Sequence, residues 1–235
     1  MLYKTSELIG RTIQASDGDV GTIDDLYIDD ERWGVRYFVV ATGGWLSGKQ
    51  VLLSPSTVTN GHGTADVVHV NLTRAQIENA PDVDTDKPVS RRYEIAHALH
   101  YGYPYYWNGP FLWGAGIYPG VIPLTDREAL PREEAADTEE AARLEEEKAA
   151  KSHLRSVREI VGYHVEASDG TAGTVDDFVI DGTTWGIARL VVDARKWWPG
   201  GQVLIPPDAV IDIDWASRAM RLRISRAAVS DSPKP

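Results

Sequence analysis

Seven aspartates stand close enough in sequence to do chemistry: Asp24, Asp25, Asp29 and Asp30 towards one end, Asp176, Asp177 and Asp181 towards the other. Carboxylates this dense are the donors that Ca²⁺ and Mg²⁺ take. No Asp-x-Asp-x-Asp-Gly loop with a following glutamate surrounds them, however, and in strands such residues cap turns and keep edges charged. Of the six histidines, His62, His69, His97, His100, His153 and His164, only the pair in His97-Ala-Leu-His100 has ligand-like spacing. With no third donor nearby and no His-Glu-x-x-His pattern, that pair makes a poor zinc site and reads as a surface helical turn. The serines lack a Gly-x-Ser-x-Gly elbow, and the glycines form neither Gly-x-Gly-x-x-Gly nor a P-loop. No catalytic residue, no cofactor-binding residue and no metal ligand is therefore expected, and the chain does not read as an enzyme.

Composition narrows the function classes further. The 35 acidic residues outnumber the 24 basic ones, a net charge of -11 that repels a phosphate backbone, so nucleic acid is not expected as a partner. There is no cysteine, which removes disulfides, thiolate nucleophiles and Cys-ligated metals and suits a reducing compartment. No stretch reaches the ~18 apolar residues of a transmembrane helix, and the first residues do not resemble a signal peptide. A cytoplasmic location is the expectation, with the periphery of the inner membrane as an extension of it.

The elements that must position any site come from an internal repeat. Shifted by 152 residues, the chain aligns with itself without a gap: Ala15-Ser16-Asp17-Gly18 returns as Ala167-Ser168-Asp169-Gly170, and Gly21-Thr22-Ile23-Asp24-Asp25 as Gly173-Thr174-Val175-Asp176-Asp177. Ile28-Asp29 returns as Ile180-Asp181, Trp33-Gly34-Val35 as Trp185-Gly186-Ile187, Trp45 as Trp197 and Gln50-Val51-Leu52 as Gln202-Val203-Leu204. The chain divides into one copy at residues 1–81, an aromatic connector at 82–125, a charged spacer at 126–152 and a second copy at 153–235. Each copy reads as short strands between turns. In the first, Arg11–Ala15 and Val20–Ile28 flank Asp17-Gly18 as a hairpin. Gly34–Ala41, rich in Val, Tyr and Phe, Gln50–Leu53 and Val67–Leu72 supply further strands. Thr73 caps a helical turn that Ser225 repeats. Closing five or six such strands into a small barrel removes their edges, so the fold class expected is mainly β, two small barrels joined by the connector and a helix.

The run Gly21-Thr-Ile-Asp-Asp25, Ile28-Asp29, then Trp33-Gly34-Val35 leading into Tyr37-Phe38-Val39-Val40 resembles the PRC-barrel, and the second copy resembles it equally. That family includes the cytoplasmic domain of the photosynthetic reaction centre H subunit, a bacterial protein, and the carboxy-terminal domain of the ribosome maturation factor RimM. The resemblance implies an adaptor fold. It covers both ends of the chain and not its middle, and it comes without the membrane-spanning helix of an H subunit or the separate amino-terminal barrel of the ribosome factor.

Between Val89 and Gly120 aromatic residues are interleaved with glycine and proline, a mixture expected to break regular helix and strand. Each buried ring contributes roughly 1.5 to 3 kcal/mol, so the segment must dock. It either cements the barrels together or forms a partner surface, and Tyr103, Tyr105, Tyr106, Trp107, Phe111 and Trp113, with the loop-tip residues Trp45, Trp197 and Trp198, are the candidates for contact. From about Asp126 to Glu159 Glu, Ala, Arg and Lys with Pro131 at the start read as a helix, its part up to residue 152 a spacer. The function expected is a non-catalytic adaptor or scaffold using tandem PRC-like barrels to bind a protein partner or itself, with homo-oligomerisation favoured over peripheral membrane contact. A small-molecule or lipid-headgroup binder with an aromatic pocket between the barrels, lined by Tyr101 to Trp113, is the alternative.

Overall fold

The structure is a computed structural model, and it describes residues 1–46, 48–59, 66–81, 83, 89–120, 153–195 and 201–235. The first copy runs β1 (Leu2–Lys4), α1 (Thr5–Leu8), β2 (Thr12–Ala15), β3 (Gly18–Asp29), β4 (Gly34–Ala41), β5 (Gln50–Leu53), β6 (Val67–His69) and α2 (Arg74–Glu78). The connector contributes α3 (Arg91–Tyr101). The second copy repeats the order as β7 (Leu154–Ser156), α4 (Val157–Ile160), β8 (His164–Ala167), β9 (Gly170–Asp181), β10 (Ile187–Asp193), β11 (Gln202–Ile205), β12 (Val210–Asp214), β13 (Ala219–Leu222) and α5 (Arg226–Ser230). The spacer at 126–152 lies outside the described residues, and beyond it the helix expected to run on to Glu159 is corrected: Leu154–Ser156 are extended as β7 and pair with β3 before the short α4.

The molecule is mainly β, with two sheets. In one the strands lie in the order β5-β4-β3-β2-β6, in the other β11-β10-β9-β8-β13-β12. Among the described residues no ladder joins the ends of either path. Instead β11 and β12, the two ends, are consecutive in the chain and separated by the single 3-10 turn Pro207–Ala209, so the sheet turns a corner through its own backbone. The first copy does the same through Pro55–Thr57, after which Val58 bridges Val70. The closed barrels expected from the sequence are, by their hydrogen bonds, open ones with a bent strand at the seam. The matched glycines Gly21 and Gly173 sit where the long strand crosses its neighbour: a Cβ on them would lie 2.0 Å from Ala41 O and 2.6 Å from Asp193 O, so only glycine permits that approach.

The two copies exchange their first strands. β1 pairs with β9, Leu2 facing Asp181, and β7 pairs with β3, Leu154 facing Asp29. The reason lies in lengths. β2 and β8 cover only the first part of the twelve-residue β3 and β9, and the other copy's strand fills the remainder of that edge, which would otherwise be bare. Each exchanged strand leads into a short helix held by an aspartate of the opposite copy. Asp177 accepts hydrogen bonds from the hydroxyls of Thr5 and Ser6 and from Ser6 N, while Asp25 accepts from the Ser156 hydroxyl and from Arg158 N at 3.0 Å. At the centre of the exchange Gly34 bridges Gly186, with Val35 N donating to Trp185 O and Ile187 N to Trp33 O at 2.8 and 2.7 Å. Trp33 and Trp185 adopt left-handed backbone there, φ 54° and 59°, a costly conformation for a bulky residue that both copies nonetheless keep.

One apolar core results. It runs from Leu8, Phe38 and Ile77 of the first copy through Tyr103 and Trp113 of the connector to Tyr163, Phe178 and Val229 of the second. A smaller cluster of Tyr27, Tyr37, Val39, Leu52, Val89 and Leu154 lies outside it.

Candidate functional site

The aromatic connector is the region where the two copies stop being alike. Its first part is a helix, which corrects the expectation that no regular element survives between 89 and 120. The eleven residues of α3 contain neither glycine nor proline; Ser90 caps the start by accepting from Tyr93 N, and Gly102 in left-handed backbone closes the end. The breakers act only beyond Gly102, where the chain becomes an irregular strap.

Two arginines of the first copy hold that strap by its carbonyls. Arg32 donates to Tyr106 O and Phe111 O, both at 2.8 Å, and to Trp107 O at 3.1 Å. Arg36, fully buried, donates to Leu112 O at 2.7 Å and forms an ion pair with Asp29 at 2.9 Å. Its guanidinium lies 3.9 Å from the centre of the Tyr106 ring and 4.9 Å from that of Trp113. A buried charge so placed is tolerable only because every face of it is met. The strap reaches the second copy at two points. Trp113 Nε1 donates to Thr184 O, and Leu112 rests on the paired Gly34 and Gly186, where a Cβ would stand 2.8 and 3.2 Å from its methyl groups.

Beneath the strap lies a polar cluster. Glu94 on α3, 3 % exposed, pairs with Arg91 at 2.9 Å and accepts from Tyr106 Oη at 2.6 Å, with Tyr37 Oη at 3.5 Å. Burial pushes its carboxyl up to about 7, against the opposing pull of Arg91 and the Tyr106 hydroxyl. One turn along, His97 donates from Nε2 to Leu52 O at 2.9 Å inside a ring of Tyr37, Tyr93, Tyr101 and Tyr103, and burial pushes it down to about 4. His97 is thus an interior residue, not part of a surface turn; His100, one helical turn on, reaches Gln76 O. Little free space remains in the cluster: the cavity beside it, lined by Arg36, His97, Tyr103 and Trp107, is about 20 Å³, room for about one water molecule. Of the aromatic pocket expected between the barrels and lined by Tyr101 to Trp113, the described residues show only this small cavity, to which Tyr106 and Trp113 also contribute.

The candidate contact residues divide accordingly. Tyr103, Tyr105, Tyr106 and Trp113 are buried. Trp107 is half-buried, with Arg91 4.0 Å from its ring centre and Tyr105 stacked on it at 4.8 Å. Trp45 is pinned by its Nε1 hydrogen bond to Val20 O and covered by Arg74. Phe111 alone of the connector set is exposed, at 48 %, and two residues outside the candidate set join it, Ile117 and the connector tyrosine Tyr118. Trp197 and Trp198 lie outside the described residues. The aspartates act as turn and helix partners, and among the described residues no group of three or more His, Cys, Asp or Glu side chains is arranged to hold a metal ion.

A second depression opens on the far side of the exchange. It measures about 260 Å³ and is lined by Asp30, Glu31, Trp33, His153, Arg155 and the β12 residues Val210 to Ile213. Arg155 pairs with Asp30 at 2.7 Å, and His153 faces Asp30 and Glu31 at 3.4 and 3.0 Å. Burial raises the Asp30 carboxyl despite Arg155. Nothing in the sequence pairs His153 with Asp30, because the exchange that joins them spans the whole connector.

Among the described residues no helix is long and apolar enough to cross a membrane. An uncharacterized protein of Deinococcus radiodurans is 33 % identical to this chain over 86 residues, 35 % of this chain and 30 % of that protein, so the match spans less than a third of the relative's length. The family profile for the PRC-barrel domain matches residues 2–77, the span from β1 to α2, so it is the first copy of the repeat that is similar to a PRC-barrel domain.

Proposed function

We propose that the chain is a non-catalytic adaptor, two PRC-type barrels locked together by strand exchange and a strap, which assembles with a protein partner or with a second copy of itself. The observation that carries this reading is the division within the strap. Its polar and aromatic interior is largely buried, while Phe111, Ile117 and Tyr118, the last 56 % exposed, present apolar surface on residues 111–118, the strap's exposed tip. Exposed apolar side chains gathered on a short segment mark contact sites. Among the described residues the buried titratable groups Glu94 and His97 meet at most a cavity with room for about one water molecule, which favours an interior role for them. A cytoplasmic setting suits an acidic chain without cysteine.

Light scattering coupled to size exclusion tests the reading on the wild type and on Phe111→Ser/Tyr118→Ser. An oligomeric wild type and a monomeric variant with an unchanged melting temperature are expected. A wild type that stays monomeric at high concentration, with the variant melting several degrees lower, would show the tip to be packing and overturn self-assembly through it.

A further inference from the structure

We infer that the 260 Å³ depression is a docking groove for an extended, basic peptide segment of a protein partner, which adds as a strand to the edge of β12. The inference takes from the adaptor reading only that the partner is a protein, and it concerns a different face from the strap tip.

Three observations converge on it. The first is the edge. β12 ends its sheet, and its ladder partner among the described residues is β13 alone. A sheet edge presents main-chain donors and acceptors to any extended chain of matching direction. A register shift between Val210 and Asp212 leaves Ile211 out of the ladder and 61 % exposed. The second is the wall opposite. Trp33 offers an aromatic face there and Glu31 a carboxylate that is 60 % exposed and faces His153, while Asp30 sits behind, held by Arg155; on the β12 side Asp212, 43 % exposed, is paired with Arg221, so the lining sets three carboxylates against Arg155 and His153. A ring beside accessible carboxylates accommodates the alkyl stem and cationic head of a lysine or arginine. The third is volume. About 260 Å³ falls below the ~300–1,000 Å³ of sites that enclose whole small molecules. It suits one or two side chains of a chain that continues past the groove.

The repeat separates this chemistry from the needs of the fold. The turn that carries Asp30 and Glu31 is held by Asp29, whose carboxylate accepts from Glu31 N and Arg32 N at 2.9 and 3.1 Å. Asp181 does the same for Thr183 N and Thr184 N at 2.8 and 3.0 Å. The second copy makes that turn with Gly182 and Thr183 in place of Asp30 and Glu31, and with Met1 and Tyr3 in place of His153 and Arg155. The charged wall is therefore an addition to a turn that folds without it. Edge carboxylates have an ordinary use, which is to deter edge-to-edge pairing. In a chain of net charge -11 they deter its own copies most of all, and the same charge selects a partner of opposite sign.

The test is titration calorimetry of the full chain with acetyl-Lys-Val-Lys-Val-Lys-amide, its Glu-Val-Glu-Val-Glu counterpart, and the lysine peptide N-methylated at both valines. One-to-one binding of the lysine peptide is expected, at least about tenfold weaker for the N-methylated peptide and for Glu31→Gln/Asp212→Asn, and unchanged for Thr183→Ala at the matched turn. Amide exchange at Ile211 and Ile213 should slow when the peptide is bound. No saturable binding at millimolar peptide overturns the inference, as does equal binding of the N-methylated peptide, which would leave charge attraction without strand addition. Phe111→Ser/Tyr118→Ser is expected to bind the peptide as the wild type does, so the strap tip and the groove fail or stand separately.

Discussion

The turn after β3 and the turn after β9 are built alike and used differently. Both are held by an aspartate, both place a tryptophan in left-handed backbone, and both hand a carbonyl to the opposite copy. Around the first, Arg32 and Arg36 grip the strap, and Asp30, Glu31, His153 and Arg155 line the groove. Around the second, the matched residues are Thr184, Ala188, Gly182, Thr183, Met1 and Tyr3. The difference teaches which residues make the scaffold and which were added to it. What both copies share holds the sheets together; what one copy alone carries points at something beyond them.

The largest effect that would break this comparison is at Arg36. Arg36→Ala leaves the Asp29 carboxylate buried without its cation and releases Leu112 O, and should cost about 3–5 kcal/mol of unfolding free energy in urea. Ala188 at the matched position shows that the barrel needs no cation there. Arg36→Ala/Asp29→Asn should recover part of the loss, because asparagine keeps the turn's acceptor without the charge. A double variant no more stable than Arg36→Ala would mean that the lost packing, not the stranded charge, was responsible.

The next effect sharpens the comparison through pH, since Glu94 and His97 belong to the strap side alone. Glu94, pushed up to about 7 from an ordinary 4.5, contributes stability that is full below pH 4.5 and lost as pH rises to about 7. His97, pushed down to about 4 from 6.5, contributes stability that is full above pH 6.5 and lost as pH falls to about 4. Between pH 4.5 and 6.5 the two slopes oppose one another. Glu94→Gln removes the first, so the variant's stability relative to the wild type should rise by about 2–3 kcal/mol across that window. A pH-independent difference would sink the assignment of Glu94.

The smallest expected effect tests the symmetric part. Asp25→Ala and Asp177→Ala each strip the partner from an exchanged helix and should each cost about 1–3 kcal/mol. Near-equal losses support equivalent exchange; a twofold inequality would show that one crossing carries the assembly.

Much of the scaffold was legible in the sequence. The gapless repeat, the hairpin at Asp17-Gly18, the strands at Gly34–Ala41 and Gln50–Leu53, and the capped helices after Thr73 and Ser225 all rest on local signals, and the structure has them. The strand exchange was not legible, because Leu2–Lys4 and Leu154–Ser156 are three-residue strands whose partners no local pattern names. The strap's helix was missed because its glycines and prolines were weighed together with a stretch that has none. Arg36 and Glu94 were missed, and His97 was placed on a surface turn, for a related reason: each is a polar residue whose burial is decided by a neighbour distant in sequence.

The strand exchange also imposes an order on synthesis. Asp30 and Arg155 are 125 residues apart, and β3 receives its last partner only when that stretch has been made. At 5–20 residues per second the interval is roughly 6 to 25 s, far longer than a hairpin needs to form. Through that interval the nascent first barrel waits with part of its longest strand uncovered, and the newly made amino-terminal strand waits for a seat that does not yet exist. The chain is thus its own delayed partner: the second half must arrive before the first can finish folding.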